Sequence, residues 1–198
     1  MSDDEAAADI MCATYRALCA NGYAELTMQD IADESEKSKA ALHYHYDSKH
    51  DLLCAFLEYL YEEFVERTAD IDAADPHERL LAFVDVVLEK SGDGEEFETA
   101  LLEIRAQAPY EPGFRERLTN FEEYLVAEFT AVLEDGVADG TFQEDIDPED
   151  TARFLVTVLT GASTERVTVG RSVECTRRML REYIGRTLLA DPEQEAAA

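Results

Sequence analysis

Lys37, Lys39 and Lys49 are three of only four lysines in the chain, and they fall within thirteen residues. The window Lys37–His50 reads KSKAALHYHYDSKH and also holds three of the four histidines. With one Asp, its charge is +2. Ammonium and imidazole groups beside tyrosines can meet phosphate oxygens, so contact with a polyanion is one reading. Chance clustering of four lysines is the other, and charge alone does not separate them. Two further chemistries read weakly. His43 and His45, two residues apart, point to different helix faces and make a poor metal pair, so neither metal nor cofactor is expected. Cys12, Cys19, Cys54 and Cys175 contain no C-x-x-C and lie on helical patterns. They read as small buried hydrophobes in a reducing cytoplasm. There is no Ser-His-Asp arrangement, no glycine loop for a phosphate, and no carboxylate pair that stands out from an acidic background, so catalysis is not expected.

That background is extreme. The 198 residues carry 45 Asp and Glu against 17 Lys and Arg, a net charge of -28. Arginine outnumbers lysine thirteen to four. A chain so acidic repels nucleic acid in dilute buffer. Abundant carboxylates with few lysines point to a protein built for molar salt. The first 50 residues sum to -6, so the lysine window is a basic island in an acidic region. A second stretch, Arg166 to Arg186, holds six arginines on an amphipathic pattern and reads as a salt-bridged packing or dimer face. Hydrophobic residues make up 46%, enough for a core. No apolar run reaches 18 residues, so no membrane span is expected. The opening Met1-Ser2-Asp3-Asp4-Glu5 lacks an apolar h-region, so the expected location is the cytoplasm.

Helical periodicity runs through almost the whole chain. Ile10, Met11, Thr14, Tyr15, Leu18 and Gly22 follow one face, and Leu53, Phe56, Leu57, Leu60, Tyr61 and Phe64 another. Leu118, Phe121, Leu125, Phe129 and Val132 repeat it, as do Phe154, Leu155, Val158, Leu159 and Ala162. Asp75-Pro76 and Asp147-Pro148 each offer a capping acid followed by proline at the first helical position. The expected fold is all-α, with about nine helices at 4–21, 28–35, 39–45, 49–72, 76–90, 95–107, 113–135, 148–168 and 172–189. Residues 191–198 are expected to form a frayed tail.

The segment Gly22 to Leu53 places the basic island. Thr27 can cap a helix, with Asp30 three residues on to return the bond. Ser38 can cap a second short helix, and Ser48 a third with Asp51 in the box position. A small residue, Ala32, lets two helix axes approach, and Leu42 anchors the second helix to the core. This is the requirement of a helix-turn-helix, whose second helix can lie in a major groove.

These residues resemble the TetR (tetracycline-repressor-like) family of transcriptional regulators. The resemblance is carried by Gly22-Tyr23, by Thr27-Met28-Gln29-Asp30-Ile31-Ala32, by Ser38-Lys39-Ala40-Ala41-Leu42, and by Tyr46-Asp47-Ser48-Lys49-His50-Asp51-Leu52-Leu53. It spans about Ile10 to Leu57. In the later half only the loop Gly136 to Phe142 and Thr160-Gly161-Ala162 resemble family patterns. The chain departs from the family at Glu36, where the turn usually has Gly, at Lys37, and at His43 in place of a Tyr. If position 36 needs a positive φ, Glu costs about 1–2 kcal/mol there.

The resemblance implies a helix-turn-helix DNA-binding domain at 1–47 and a ligand-binding and dimerisation domain at 48–190. It implies a ligand-responsive regulator of transcription, a repressor released from a palindromic double-stranded DNA operator by a small molecule. The implied DNA contacts are Thr27, Ser38, Lys39, Ala40, Ala41, His43, Tyr44 and Lys49. Thr27 and Lys49 would bond phosphates. A lysine opening a helix opposes its dipole, so an outside anion would explain Lys49 better than helix stability does. The last two long helices would form a homodimer, presenting recognition helices about 34–36 Å apart. Ligand bound between the fifth and eighth helices would move the fourth and change that spacing. Phe64, Phe83, Leu101, Arg105, Phe121, Tyr124 and Phe154 are the pocket candidates, each of which ordinary core packing also explains. The alternative function is a helical ligand-binding or interaction protein whose DNA-binding head does not work.

Overall fold

The computed structural model describes residues 3–35, 37–69, 71, 75–89 and 95–190. Glu36 and the expected tail at 191–198 lie outside the described residues. Nine α-helices run through the described residues: α1 (Asp3–Glu25), α2 (Met28–Asp33), α3 (Lys39–His45), α4 (Lys49–Ala69), α5 (Pro76–Leu88), α6 (Glu95–Gln107), α7 (Pro112–Ala138), α8 (Pro148–Val169) and α9 (Glu174–Tyr183). A wider π-helical turn, Ile184–Leu188, ends the last of them. The fold is all-α, as the periodicity requires. No strand occurs among the described residues, only an isolated antiparallel bridge between Phe142 and Leu189.

Local chemistry explains where the short helices start. At α2 the Thr27 hydroxyl accepts from the N–H groups of Gln29 and Asp30, and Asp30 accepts from the Thr27 N–H at 2.8 Å. At α3 Ser38 accepts from the Ala41 N–H at 3.2 Å. At α4 Ser48 accepts from the Asp51 N–H and donates its hydroxyl to the Asp51 carboxylate. Asp75 and Asp147 cap α5 and α8, each with proline following. Without such partners the first-turn donors would stay unpaired, and helices of six or seven residues do not form by propensity alone.

The chain divides into two compact units, Met1–Val65 with Lys90–Asn120, and Glu66–Glu89 with Phe121–Ala198. The first unit holds the short helices α2 and α3. Helix α1 packs along α6, where the Tyr15 and Phe97 rings lie 4.4 Å apart. Ile10, Leu18, Phe56, Phe97, Ile104 and Phe114 are buried together in this unit. Helices α1 to α3 alone would bury too little apolar surface, and α4, α6 and the start of α7 supply the rest. Helix α1 is not straight: at Gly22 (φ 69°, ψ 171°) it kinks, a conformation that costs Gly little and other residues more.

In the other unit α5 packs against α8 and α9, and the Phe83 and Phe129 rings lie 5.8 Å apart. The arginine-rich stretch is salt-bridged packing. Arg177 and Arg181 both pair with Asp85 of α5. Arg166 donates to the Leu88 carbonyl at 2.8 Å, and Arg171 pairs with Glu165. Phe142, fully buried, lies against Gly136 and donates its N–H to the Gly136 carbonyl at 2.9 Å. Among the cysteines only Cys54 is fully buried. Cys12 and Cys175 are exposed, contrary to the expectation of four buried thiols, because both sit one step off their helices' apolar stripes.

Two outcomes follow. A Cβ at Gly136 would stand 2.2 Å from Phe142 Cδ2, and Phe142 is buried. Gly136→Ala should cost about 1–3 kcal/mol of stability, read from denaturant unfolding in molar KCl. Hydrogen bonds from the Thr27 hydroxyl and N–H hold the Asp30 carboxyl below the usual carboxylate range. A carboxylate lowered on folding adds stability above its unfolded pKa and loses it as pH falls through the folded value. Protection of the α2 amides against exchange, taken relative to the intrinsic rate at each pH, should fall on acidification, and Asp30→Asn should flatten that pH dependence.

Candidate nucleic-acid interface

Helix α3 has one buried side chain, Leu42. Leu42 of α3 is 0% exposed, while Ile31 and Ala32 of α2 are buried at the crossing. With Leu42 turned inward, Ala40, His43 and Tyr44 lie on the other side of the helix. Ser38, Lys39, Ala40, His43 and His45 are exposed, Ala41 is half-buried, and Tyr44 is 86% exposed. This face carries a cation, an imidazole, a phenol and two methyl groups, a set that can meet phosphates and base edges. Lys39 lies near enough to Asp30 to lower that carboxyl's pKa further.

The turn between α2 and α3 is fastened to α1. Arg16 donates from Nη2 to the Glu34 carbonyl at 2.6 Å and from Nε to the Glu34 carboxylate at 3.3 Å. The Ser35 hydroxyl donates to Asp9 Oδ2 at 2.8 Å and accepts from the Lys37 N–H at 3.0 Å. Neither Asp9 nor Arg16 stood out in the sequence. The departure at Glu36 falls outside the described residues.

Two expected phosphate contacts, Thr27 and Lys49, have internal partners. The Thr27 hydroxyl donates to Asp30 Oδ2 at 2.7 Å, so its one proton is already committed beside a carboxylate. Lys49 Nζ donates to the carbonyls of Tyr23 at 3.0 Å and Leu26 at 2.8 Å, and lies 4.8 Å from the Tyr23 ring centroid. The ammonium thus serves carbonyls beyond the α1 kink, which answers its unfavourable place at the start of α4 without an outside anion. His50, counted with the basic island, also packs within its unit. Its ring lies 4.6 Å from that of Phe114, with Nδ1 3.7 Å from Glu111 and Nε2 3.5 Å from Cys54 Sγ. Gly113 leaves room for it, since a Cβ there would be 2.8 Å from His50 Nε2.

The pocket candidates divide between the units. Phe64, Leu101 and Arg105 belong to the first, and Leu101 packs against its core. Phe83, Phe121, Tyr124 and Phe154 belong to the second. Phe83 is buried against Phe129, and the Tyr124 and Thr68 hydroxyls are 2.9 Å apart. Phe154 is 48% exposed and lies 5.4 Å from the Tyr183 ring of α9. The buried stripe of α8 is Ala152, Leu155, Val156, Leu159 and Ala162, which leaves Phe154 one position outside it. No group of three His, Cys, Asp or Glu able to hold a metal ion occurs among the described residues. No described helix is long and apolar enough to cross a membrane.

Known proteins share this arrangement. Residues 10–56 match bacterial regulatory proteins of the tetR family, and residues 76–189 match the C-terminal region of BetI-type transcriptional repressors. A TetR transcription regulator from Haloarcula marismortui is similar over 93% of this chain and 99% of its own, with 42% identity and a TM-score of 0.88. A transcriptional regulator from Saccharomonospora viridis, solved in complex with choline, covers 96% of this chain and 100% of its own at 25% identity and TM-score 0.84. FadR from Bacillus subtilis, solved in complex with stearoyl-CoA, shares the fold at 16% identity and TM-score 0.76, over 89% of this chain and 96% of its own. No curated protein matches the chain. The helix-turn-helix geometry and both family matches lead to one assignment: the chain belongs to the TetR family of transcriptional regulators.

Proposed function

We propose that the protein is a homodimeric, ligand-released repressor that reads a palindromic operator in the cytoplasm at molar salt. The observation that carries this reading is the outward face of α3, with Leu42 fully buried behind it. Ser38 and Lys39 meet the DNA backbone or base edges, Ala40 and Ala41 approach bases, and His43 and Tyr44 meet phosphate. Thr27 and Lys49, engaged internally, are left out of the contact set. The apolar surface of Phe154, Met179 and Tyr183 on α8 and α9 supports the dimer face, since Phe154 and Met179 are both about half exposed. A small molecule shifts such a dimer by favouring its non-binding form. The choline-bound relative makes a quaternary ammonium the first effector class to test. Phe83, Phe121 and Tyr124 are the remaining second-unit candidates whose rings could face such a cation.

The salt regime fixes how binding behaves. At 1 M salt the Debye length is about 3 Å, so the acidic flank hardly repels DNA. Counterion release contributes little there, and contacts to bases and groove shape must carry specificity.

Selection of random duplexes in molar KCl should yield an inverted repeat, with anisotropy showing shallow salt dependence near 1 M and loss of binding in dilute buffer. Specific binding confined to low salt would contradict the molar-salt reading. Lys39→Ala should weaken binding across sequences and reduce the salt slope by about one phosphate; wild-type affinity and slope would remove Lys39 from the interface. Phe154→Asp with Met179→Asp should yield monomers in sedimentation, and an unchanged dimer would place the interface elsewhere.

A further inference from the structure

Four residues, Tyr23 to Leu26, lie between the α1 kink and the Thr27 cap, and they set the direction in which α2 and α3 leave α1. The non-helical backbone of Gly22 separates Tyr23 to Glu25 from the long run of α1, and Leu26 lies past the helix end. They are gripped from outside the helix-turn-helix. The Tyr23 N–H donates to Glu103 Oε2 of α6 at 2.7 Å. The Tyr23 carbonyl accepts from Lys49 Nζ of α4 at 3.0 Å, and Lys49 reaches the Leu26 carbonyl as well. The Tyr23 ring lies edge-on to Phe114 of α7, with centroids 6.1 Å apart. One residue thus has its N–H held by α6 and its carbonyl held by α4. Gly22 leaves room for this grip, since a Cβ there would stand 3.2 Å from Glu103 Oε2.

We infer that Glu103 and Lys49 are positioning residues for DNA binding, a carboxylate and an ammonium that clamp the Tyr23 backbone and so aim α3. The inference rests on the proposed function, because an aim matters only if α3 reads DNA. Both bonds involve a charged group and a backbone dipole at short range, and salt screens such contacts far less than it screens distant charges. A shift of α6 or α4 by a fraction of an ångström loads directly on the connector. Neither side chain needs to touch DNA. Lys49 therefore has a role that its place in a basic window conceals.

The experiment measures affinity for the selected operator, and its dependence on KCl, for wild type, Glu103→Gln, Glu103→Asp and Lys49→Met. Gln keeps an acceptor at the right reach, and Asp keeps the charge but falls one methylene short. Glu103→Gln should bind within about twofold of wild type, and Glu103→Asp should bind about tenfold more weakly. Lys49→Met should also bind about tenfold more weakly, with the wild-type salt slope, because a positioning residue releases no counterion. The Tyr23 amide resonance should move in Glu103→Asp and hold its place in Glu103→Gln, a readout that separates loss of the grip from loss of folding. Wild-type affinity in Glu103→Asp, or equal losses in Asp and Gln with an unmoved Tyr23 amide, would overturn the role of Glu103. A salt slope lowered by about 0.9 in Lys49→Met would make Lys49 a phosphate contact and overturn its role here. If wild type selects no operator, the proposed function itself fails, an outcome distinct from either of these.

Discussion

Burial of Leu42 is the interaction on which the reading surface depends. A seven-residue helix has too few internal hydrogen bonds to persist alone. It persists here because one side chain reaches the core and Ser38 satisfies the first turn. Full burial of a leucine contributes about 1.5–3 kcal/mol, and a cap about 1. Once Leu42 is fixed, the helical period turns Ala40, His43 and Tyr44 away from the core. Exposure of this set follows from the anchor, with no force needed to hold the side chains out.

The rest of the head keeps that anchor oriented. Arg16 and Asp9 of α1 fasten the turn after α2, while Lys49 and Glu103 grip the connector before it. Both ends of the α2–α3 pair are thus tied by charged groups to longer helices. Elsewhere the charge works differently. Several ion pairs are exposed, such as Arg153 with Glu149 and Arg186 with Glu182, and exposed pairs are each worth little. The Asp85 cluster is an exception in kind, since one carboxylate meets two arginines of α9 and ties it to α5. Arginine's fork suits such sharing better than lysine's point charge, which fits the scarcity of lysine in this chain.

Local rules made much of this legible in the sequence. Thr27 with Asp30, Ser48 with Asp51, and the two Asp-Pro pairs mark helix starts within a residue or two, because capping involves neighbours in the chain. Leu42 and Ala32 could be placed because helical spacing determines which residues share a face. Partners distant in sequence could not be placed. Lys49 read as an outward charge, since the carbonyls it serves are more than twenty residues away. Glu103, eighty residues from Tyr23, was lost among 45 acidic side chains. Phe154 shows a subtler limit: a wide apolar stripe on α8 covers both the core and the outer surface, and spacing alone does not say where one ends. The signal for the connector was present in Gly22-Tyr23 and in a lysine set against its own helix dipole.

Photo-crosslinking from position 44 tests the central claim most directly. A benzophenone amino acid replaces Tyr44, and the protein is irradiated with its selected operator in molar KCl. Crosslinks to the DNA are expected at two positions related by the operator's dyad, one in each half-site, and none from a control probe at the exposed Tyr110. No DNA adduct from position 44, or adducts without dyad symmetry, would contradict an α3 that enters the groove once per protomer.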